Sequence, residues 1–181
     1  MLSSYAYTYY ADGNQRTKKD HNNRTTTYVY DGAGRLKSEN ESTGFGAAYQ
    51  YDRFGNRTQM AVTGADTYTV AYFYDANNRL TQDVKTAGSV VTTGNYFYDP
   101  NGNQLAKASD TLAPASGGAP QVGIDPSGVE LYDYNGFNRM VRSNVNGEEV
   151  IYTYRADGLR NKTTKMGVMG SAGPVSETTF L

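Results

Sequence analysis

The sequence predicts an all-β fold in which tandem β-hairpins form a curled antiparallel meander. The composition favours this fold, because 17 tyrosines without a tryptophan accompany 20 glycines in 181 residues. Tyrosine is enriched in strands, and glycine is enriched in tight turns. A tyrosine-rich segment followed by a turn also recurs along the chain. Many short strands joined by tight turns are therefore expected.

The repeated unit is a Tyr-x-Tyr pair followed by a four-residue turn. Seven pairs align: Tyr7/Tyr9, Tyr28/Tyr30, Tyr49/Tyr51, Tyr72/Tyr74, Tyr96/Tyr98, Tyr132/Tyr134 and Tyr152/Tyr154. The spacings between the second tyrosines are 21, 21, 23, 24, 36 and 20 residues, so one spacing is abnormal. We interpret residues 1–181 as a single array of about seven repeats.

The segments before the turns have the period-two alternation of β-strands, as in the stretch from Tyr68 to Tyr74. Further turns are predicted between the repeats. They lie at Gly44 to Gly46, Thr63 to Asp66, Ala87-Gly88 and Asn146-Gly147, and the last is typical of a type I′ hairpin. Strands and turns in this order predict a long antiparallel meander.

The turn after each tyrosine pair repeats by residue type. Asp occupies the first position in four repeats, and Gly or Asn occupies the fourth in all seven, which is typical of a type I turn closed by a left-handed residue. An Asp side chain at the first position accepts a hydrogen bond from the backbone two residues further on. The predicted structural turn residues are Asp31, Gly34, Asp52, Gly55, Asp75, Asn78, Asp99, Gly102, Asn138 and Gly158.

The residue that follows the turn alternates between two types. Arginine stands at 35, 79 and 139, and asparagine stands at 14, 56 and 103. This alternation predicts that the larger unit is a pair of repeats.

The abnormal spacing contains the stretch from Asp110 to Gly128, in which three prolines stand among several glycines. Such a composition does not sustain a central strand. We therefore predict an insertion loop at about residues 110–128, at one rim of the sheet.

Charge and composition argue against several classes of partner. The 17 basic and 18 acidic residues give a net charge of −1, so no basic stripe is available for nucleic acid. The absence of cysteine excludes disulfides and thiolate metal sites. No apolar run approaches the ~20 residues of a membrane helix, and the first residues lack the pattern of a secretory signal. We expect no nucleic-acid partner and no membrane insertion.

Three features admit a functional interpretation as well as a structural one. His21, the single histidine, stands beside Asp20 in a polar loop, and a solvated histidine is favoured over an acid–base dyad. Asp99 to Asn103 has the residue types of a calcium loop without its closing Glu, and turn formation explains them. The tyrosines offer stacking faces for sugars or bases. However, tyrosines paired across strands stabilise the sheet itself by ~0.2 to 1 kcal/mol per pair, and this explains their presence. We expect no metal, no cofactor and no catalytic residue.

The repeat resembles the RHS/YD-repeat family, whose pattern Tyr-x-Tyr-Asp-x-x-Gly-Arg-Leu is matched from Tyr28 to Leu36. Related copies run from Tyr49 to Thr58 and from Tyr96 to Asn103, and the resemblance covers about residues 7–165. Three copies depart from it, with Tyr10, Asn135 and Arg155 where Asp is usual. The resemblance implies strand–turn–strand units that form part of a spiral shell or barrel-like wall. In polymorphic toxins, toxin complexes and teneurin-like proteins, such a shell encloses cargo or acts in adhesion.

The resemblance implies a non-enzymatic scaffold segment of a larger secreted or cell-surface protein of bacterial type. Its partners would be the remaining repeats and a C-terminal toxin or other cargo. The self-cleavage element of toxin members is only superficially matched at Asp125 to Gly128, because two further repeats follow it. The alternative is an adhesion module that binds a glycan or a protein through exposed tyrosines or the predicted loop. Unblocked terminal strands also predict edge-to-edge self-association.

Overall fold

The computed structural model describes residues 4–109, 128–168 and 174–180. These residues form fifteen β-strands. The strands are β1 (Tyr5–Tyr9), β2 (Gln15–Asp20), β3 (Thr25–Tyr30), β4 (Leu36–Glu41), β5 (Gly46–Tyr51), β6 (Arg57–Thr63), β7 (Tyr68–Tyr74), β8 (Leu80–Ala87), β9 (Val90–Tyr98), β10 (Gln104–Ser109), β11 (Val129–Tyr134), β12 (Met140–Val145), β13 (Glu148–Tyr154), β14 (Arg160–Val168) and β15 (Pro174–Thr179). In the part of the chain that the structure describes, no helix is long and apolar enough to cross a membrane.

The strands lie in two compact units, residues 1–92 with β1 to β8 and residues 93–181 with most of β9 and all later strands. Within the first unit each strand pairs antiparallel with the next along the chain. The second unit follows the same rule from β9 to β15. The predicted all-β antiparallel meander is confirmed.

The two outermost strands are open edges. Among the described residues, β1 pairs only with β2, and β15 pairs only with β14. Tyr5, Tyr7 and Tyr9 on β1 are all exposed, and so is every residue of β15. β15 begins at Pro174, which stands opposite Met166 of β14, and a proline has no backbone N–H to donate.

The seven hairpins that carry the tyrosine pairs share one irregularity of register. In the second hairpin Tyr30 pairs with Leu36 but Val29 pairs with Ser38, so one residue of β4 is skipped. An equivalent shift occurs beside the second tyrosine of each of the other six pairs. A bulge of this kind bends the strand and increases its twist. The same local distortion therefore recurs once in every repeat.

The predicted insertion lies outside the described residues, except for Gly128. The strands on its two sides pair with each other, with Ala106 opposite Leu131 and Ala108 opposite Val129. The amide of Ser109 donates to the carbonyl oxygen of Gly128 at 3.1 Å. The ends of the abnormal spacing are therefore held together by an ordinary antiparallel pair.

Small side chains form the buried positions. In the first unit Ala47 on β5 faces Val62 on β6 as a cross-strand pair, and Val70 is buried on β7. In the second unit Ala106 and Ala108 are buried on β10. Burying such small groups removes little apolar area from water, and the transfer free energy is about 25 cal/mol per Å². Backbone ladders and half-buried tyrosines must therefore supply much of the cohesion.

Candidate functional site

The candidate site is the repeated turn, defined as the five residues that follow each tyrosine pair and numbered positions 1 to 5. In the second repeat the amide of Gly34 donates to the carbonyl of Asp31 at 3.0 Å, and the Asp31 amide donates to the carbonyl of Arg35 at 2.9 Å. The Asp31 Oδ1 accepts from the amides of Ala33 and Arg35 at 2.9 and 3.0 Å. One carboxylate oxygen thus satisfies two backbone donors of the turn.

The same contacts recur where position 1 is Asp or Asn. Asp52 Oδ1 accepts from the amides of positions 3 and 5 at 2.8 and 2.9 Å, and Asp75 does so at the same two distances. Asn135, which departs from the family pattern, accepts the same pair of bonds at 3.0 and 3.1 Å. Asp99 accepts from the position 5 amide at 2.8 Å. The amide oxygen of Asn135 therefore accepts the bonds that a carboxylate oxygen accepts at position 1 of the repeats that have Asp there.

Position 4 has a left-handed backbone in all seven repeats. Asn is the residue other than Gly that adopts this region most readily, because its short side chain bonds locally. The φ angles are 89° at Gly13, 76° at Gly34, 93° at Gly55, 61° at Asn78, 91° at Gly102, 57° at Asn138 and 92° at Gly158. A residue of any other type would be strained there.

Hydrogen bonds to the position 1 carboxylates favour their ionised form. The backbone hydrogen bond from Arg35 is the largest influence on Asp31, and with the Arg35 guanidinium it lowers the pKa of that carboxyl below 3.8. The backbone bond from Arg79 lowers the pKa of Asp75 in the same way. At Asp99 the side-chain bond from Asn103 comes first and also lowers the pKa. These carboxylates are held as acceptors rather than poised to exchange protons near neutral pH.

The two repeats with neither Asp nor Asn at position 1 use an aspartate at position 3 instead. Asp12 Oδ1 accepts from the amide of Asn14 at 3.0 Å, and Asp157 Oδ1 accepts from the amide of Leu159 at 3.0 Å. Sequence reasoning missed both residues. The available signal was that an Asp stands at position 3 in these two repeats, where position 1 is Tyr10 or Arg155.

A further turn of the same construction joins β2 to β3 and was also missed. Asp20 Oδ1 accepts from the amides of Asn22 and Arg24 at 2.8 and 3.0 Å, and its Oδ2 accepts from Arg24 Nε at 2.8 Å. Burial raises the pKa of Asp20, but these hydrogen bonds outweigh it and lower the pKa overall. Both carboxylate oxygens are engaged, so Asp20 serves the turn rather than the neighbouring His21. The sequence Asp-x-x-Asn-Arg was the signal that could have revealed it.

In three repeats the second tyrosine is hydrogen-bonded to the repeat before it. Tyr51 donates its hydroxyl to the carbonyl of Leu36 at 2.8 Å, and Tyr74 donates to the carbonyl of Arg57 at 2.9 Å. Tyr154 donates to the carbonyl of Met140 at 2.7 Å. In each case the acceptor directly follows position 5 of the preceding turn. The tyrosine hydroxyls therefore tie consecutive repeats together.

Arginines cover the faces of several of these rings. The Arg35 guanidinium carbon lies 4.7 Å from the centre of the Tyr51 ring, and that of Arg57 lies 4.6 Å from the Tyr72 ring. Such cation–π contacts stabilise by about 0.5–1 kcal/mol at exposed sites. A covered face is not free to stack against a sugar or a base.

The first tyrosine of some repeats is bonded to a glutamate. Tyr49 donates to Glu39 Oε1 at 2.7 Å, and burial followed by this bond raises the pKa of Tyr49 to about 12. Tyr132 donates to Glu130 Oε2 at 2.6 Å, and the same two causes raise the pKa of its hydroxyl. Both hydroxyls remain protonated donors at neutral pH.

The tyrosines of β1 differ from these, because Tyr5, Tyr7 and Tyr9 are 52%, 45% and 59% exposed.

The described ranges contain no group of three or more His, Cys, Asp or Glu side chains that could hold a metal. In the segment considered for calcium, the Oδ2 of Asp99 accepts from Asn103 Nδ2 at 2.7 Å. The arrangement of the turns is thus a set of internal hydrogen bonds.

Comparison with known proteins agrees with this geometry. Residues 9–48 match the family model of the RHS repeat. No curated protein matches the chain. The predicted resemblance to RHS repeats is confirmed.

Solved structures with the same fold include toxin complexes. The crystal structure of TcdB2-TccC3 without its hypervariable C-terminal region is 16% identical, with a TM-score of 0.67 over 99% of this chain. TcdB2-TccC3-TEV is 18% identical, with a TM-score of 0.66 over 97%. A Photorhabdus luminescens Tc holotoxin pore with a substituted TccC3 is 18% identical, with a TM-score of 0.61 over 89%. The chain spans about a tenth of those chains, 10%, 10% and 9% respectively.

Proposed function

We propose that this chain, which carries RHS repeats, is a non-enzymatic wall segment of an RHS shell that encloses or presents a toxin or other C-terminal cargo of a larger secreted or cell-surface protein. The bonds from the second tyrosines of three repeats to the preceding repeat support this role most directly. Tyr51, Tyr74 and Tyr154 all donate to the backbone of the repeat before them. These hydroxyls bond one repeat to the one before it, and a wall built from repeats requires such bonds between neighbours.

The state of the carboxylates supports a scaffold rather than an enzyme. A general acid or base works best when its pKa lies near the working pH. The position 1 carboxylates have the opposite character, because hydrogen bonds lower the pKa of Asp31 and Asp75. Their oxygens also already accept bonds from the turn.

The partners proposed for this segment are further repeats and the cargo. The open edges of β1 and β15 each offer a row of backbone groups that another strand could pair with. The TcdB2-TccC3 and Tc holotoxin structures, in which a segment of this fold forms about a tenth of the chain, support such an assembly.

Protease protection tests the enclosure of cargo. The longer protein that contains this chain would be purified, and the rate of proteolysis of the region that follows the repeats would be compared with that of the same region expressed alone. Enclosure predicts cleavage that is slower by at least about tenfold, because proteolysis tracks the accessible population. Gly55→Val should reduce the protection by weakening the wall, whereas Gly32→Val, at an open position with ordinary φ, should not. Equal cleavage rates for free and attached cargo would contradict enclosure.

The second candidate is an adhesion module, and the exposure of Tyr5, Tyr7 and Tyr9 favours it. Exposed tyrosines combine an apolar face with a hydrogen-bonding tip, which suits carbohydrate. A glycan array on the purified chain would detect this activity. Binding that is lost in Tyr7→Ala and kept in Tyr51→Phe supports the module, and an array without specific binding excludes it for the glycans presented.

A further inference from the structure

The turns of consecutive repeats contact each other through positions 4 and 5. Position 5 reads Asn14, Arg35, Asn56, Arg79, Asn103, Arg139 and Leu159 along the chain. Position 4 is Asn in two repeats, at 78 and 138, and each of these follows a repeat with Asn at position 5. All three repeats that follow an arginine have Gly at position 4, at 55, 102 and 158. The two positions therefore vary together.

Direct hydrogen bonds account for the asparagine pairs. Asn56 Nδ2 donates to Asp52 Oδ2 of its own turn at 2.9 Å and to Asn78 Oδ1 of the next turn at 2.8 Å. In the second unit Asn103 Nδ2 donates to Asp99 Oδ2 at 2.7 Å and to Asn138 Oδ1 at 3.0 Å. The two hydrogens of one amide group thus hold a turn closed and link it to its neighbour.

The arginine repeats make a different contact. Arg35 Nε bonds Asp31 of its own turn at 2.7 Å, and its Nη1 donates to the carbonyl of Asp52 in the next turn at 3.0 Å. At the later arginine turn, a Cβ added to Gly158 would lie 2.7 Å from Nη2 of Arg139. The larger guanidinium therefore reaches the backbone of the next turn, and at Gly158 it takes the space that a side chain at position 4 would need.

We propose that position 5 of one repeat selects position 4 of the next, because an asparagine amide bonds an asparagine in the following turn, whereas Arg139 fills the space beside Gly158. The amide–amide link would set the register between neighbouring turns and restrict which repeat can follow which. A left-handed φ alone does not explain the asparagines, because Gly adopts that conformation at no steric cost.

At one junction a position 5 asparagine is followed by glycine at position 4, so the amide–amide bond can be tested by introducing an asparagine there. Asn14 Nδ2 bonds Asp12 Oδ2 at 3.0 Å, as the other position 5 asparagines bond their own turns, but the next position 4 is Gly34. A Cβ added to Gly34 would lie 4.0 Å from Asn14 Nδ2, which is ordinary van der Waals distance. Gly34→Asn should therefore place an acceptor beside the second hydrogen of the Asn14 amide.

The matched control is Gly55→Asn, which makes the same change at position 4 after an arginine. Gly55 has a similar φ of 93°, and a Cβ there would meet nothing within 4 Å. The folding equilibrium of the full chain would be measured by denaturant unfolding. Gly34→Asn should raise the folded-to-unfolded ratio about twofold to tenfold relative to Gly55→Asn, the range for one net hydrogen bond. The gain should vanish when Asn14 is replaced by Ala.

A second cycle tests the native link through Asn56→Ala and Asn78→Gly. The two changes should be coupled by a similar factor, since each removes the bond from Asn56 Nδ2 to Asn78 Oδ1. Asn23→Gly is the control for the cost of glycine, because Asn23 has φ 61° and its side chain makes no hydrogen bond among the described residues. Additive effects in this cycle, together with equal stabilities of Gly34→Asn and Gly55→Asn, would overturn the proposal.

Discussion

Replacing Gly55 by valine isolates the backbone requirement of position 4. Gly55 has φ 93°, and an added Cβ would meet no atom within 4 Å, so steric clash with neighbours does not contribute. The cost is then the strain of a β-branched residue in the left-handed region, about 1–2 kcal/mol. If the turn relaxes instead, the bond from the Gly55 amide to the Asp52 carbonyl at 3.2 Å is lost, at about 0.5–1.5 kcal/mol.

Thermal unfolding followed by circular dichroism measures this effect. A loss of 1 kcal/mol lowers the melting temperature by about 2–4 °C in a chain of this size. Gly32→Val is the control, because Gly32 lies in an equivalent turn at position 2, without a left-handed φ and with open space around its Cβ. Equal melting temperatures for the two variants would refute the assignment of position 4 as the strained residue of the turn.

Three further predictions concern the contacts between repeats, the turn carboxylates and the open edges. Tyr51→Phe should cost about 0.5–1.5 kcal/mol, because the Leu36 carbonyl loses its donor, whereas Tyr9→Phe on the exposed edge should be near neutral; equal losses would contradict the inter-repeat bond. The lowered pKa of Asp31 in the folded state gives stability that is present above its ordinary value of 3.8 and is lost as the pH falls through the depressed pKa. The denaturant concentration at the unfolding midpoint should therefore decrease as the pH is lowered below about 4, and this decrease should be smaller in Asp31→Asn. The same pH dependence in both proteins would show that Asp31 does not cause it. The edges of β1 and β15 should cause association that rises with concentration in analytical ultracentrifugation, and a strictly monomeric chain at high concentration would argue against it.

Much of the turn could be predicted from sequence because its chemistry is local. Asp at position 1 and Gly or Asn at position 4 have conformational preferences that hold within five residues, as Asp31 and Gly34 illustrate. The prediction of a type I′ hairpin turn at Asn146-Gly147 rests on the same principle, and both residues have positive φ in the structure. The turn at Asp20 was missed because no tyrosine pair precedes it.

The partners of the side chains could not be predicted in the same way. The sequence shows that Arg35 and Asn56 alternate, but it does not show that one donates to a backbone carbonyl and the other to Asn78. These contacts depend on how closely neighbouring turns approach, which the register of the strands decides. The bulge beside Tyr30 illustrates this, because it shifts the register of everything beyond it by one residue.

By itself the sequence determined the all-β class, the seven turns and the residues that close them, because these depend on backbone preferences and on period-two alternation. Only the tertiary structure decided that tyrosine hydroxyls join one repeat to the one before, as Tyr51 does at Leu36. It also decided which tyrosines are exposed. The physical reason is that burial and hydrogen bonding between strands depend on neighbours about twenty residues away along the chain, and a local sequence pattern does not specify their distance or orientation.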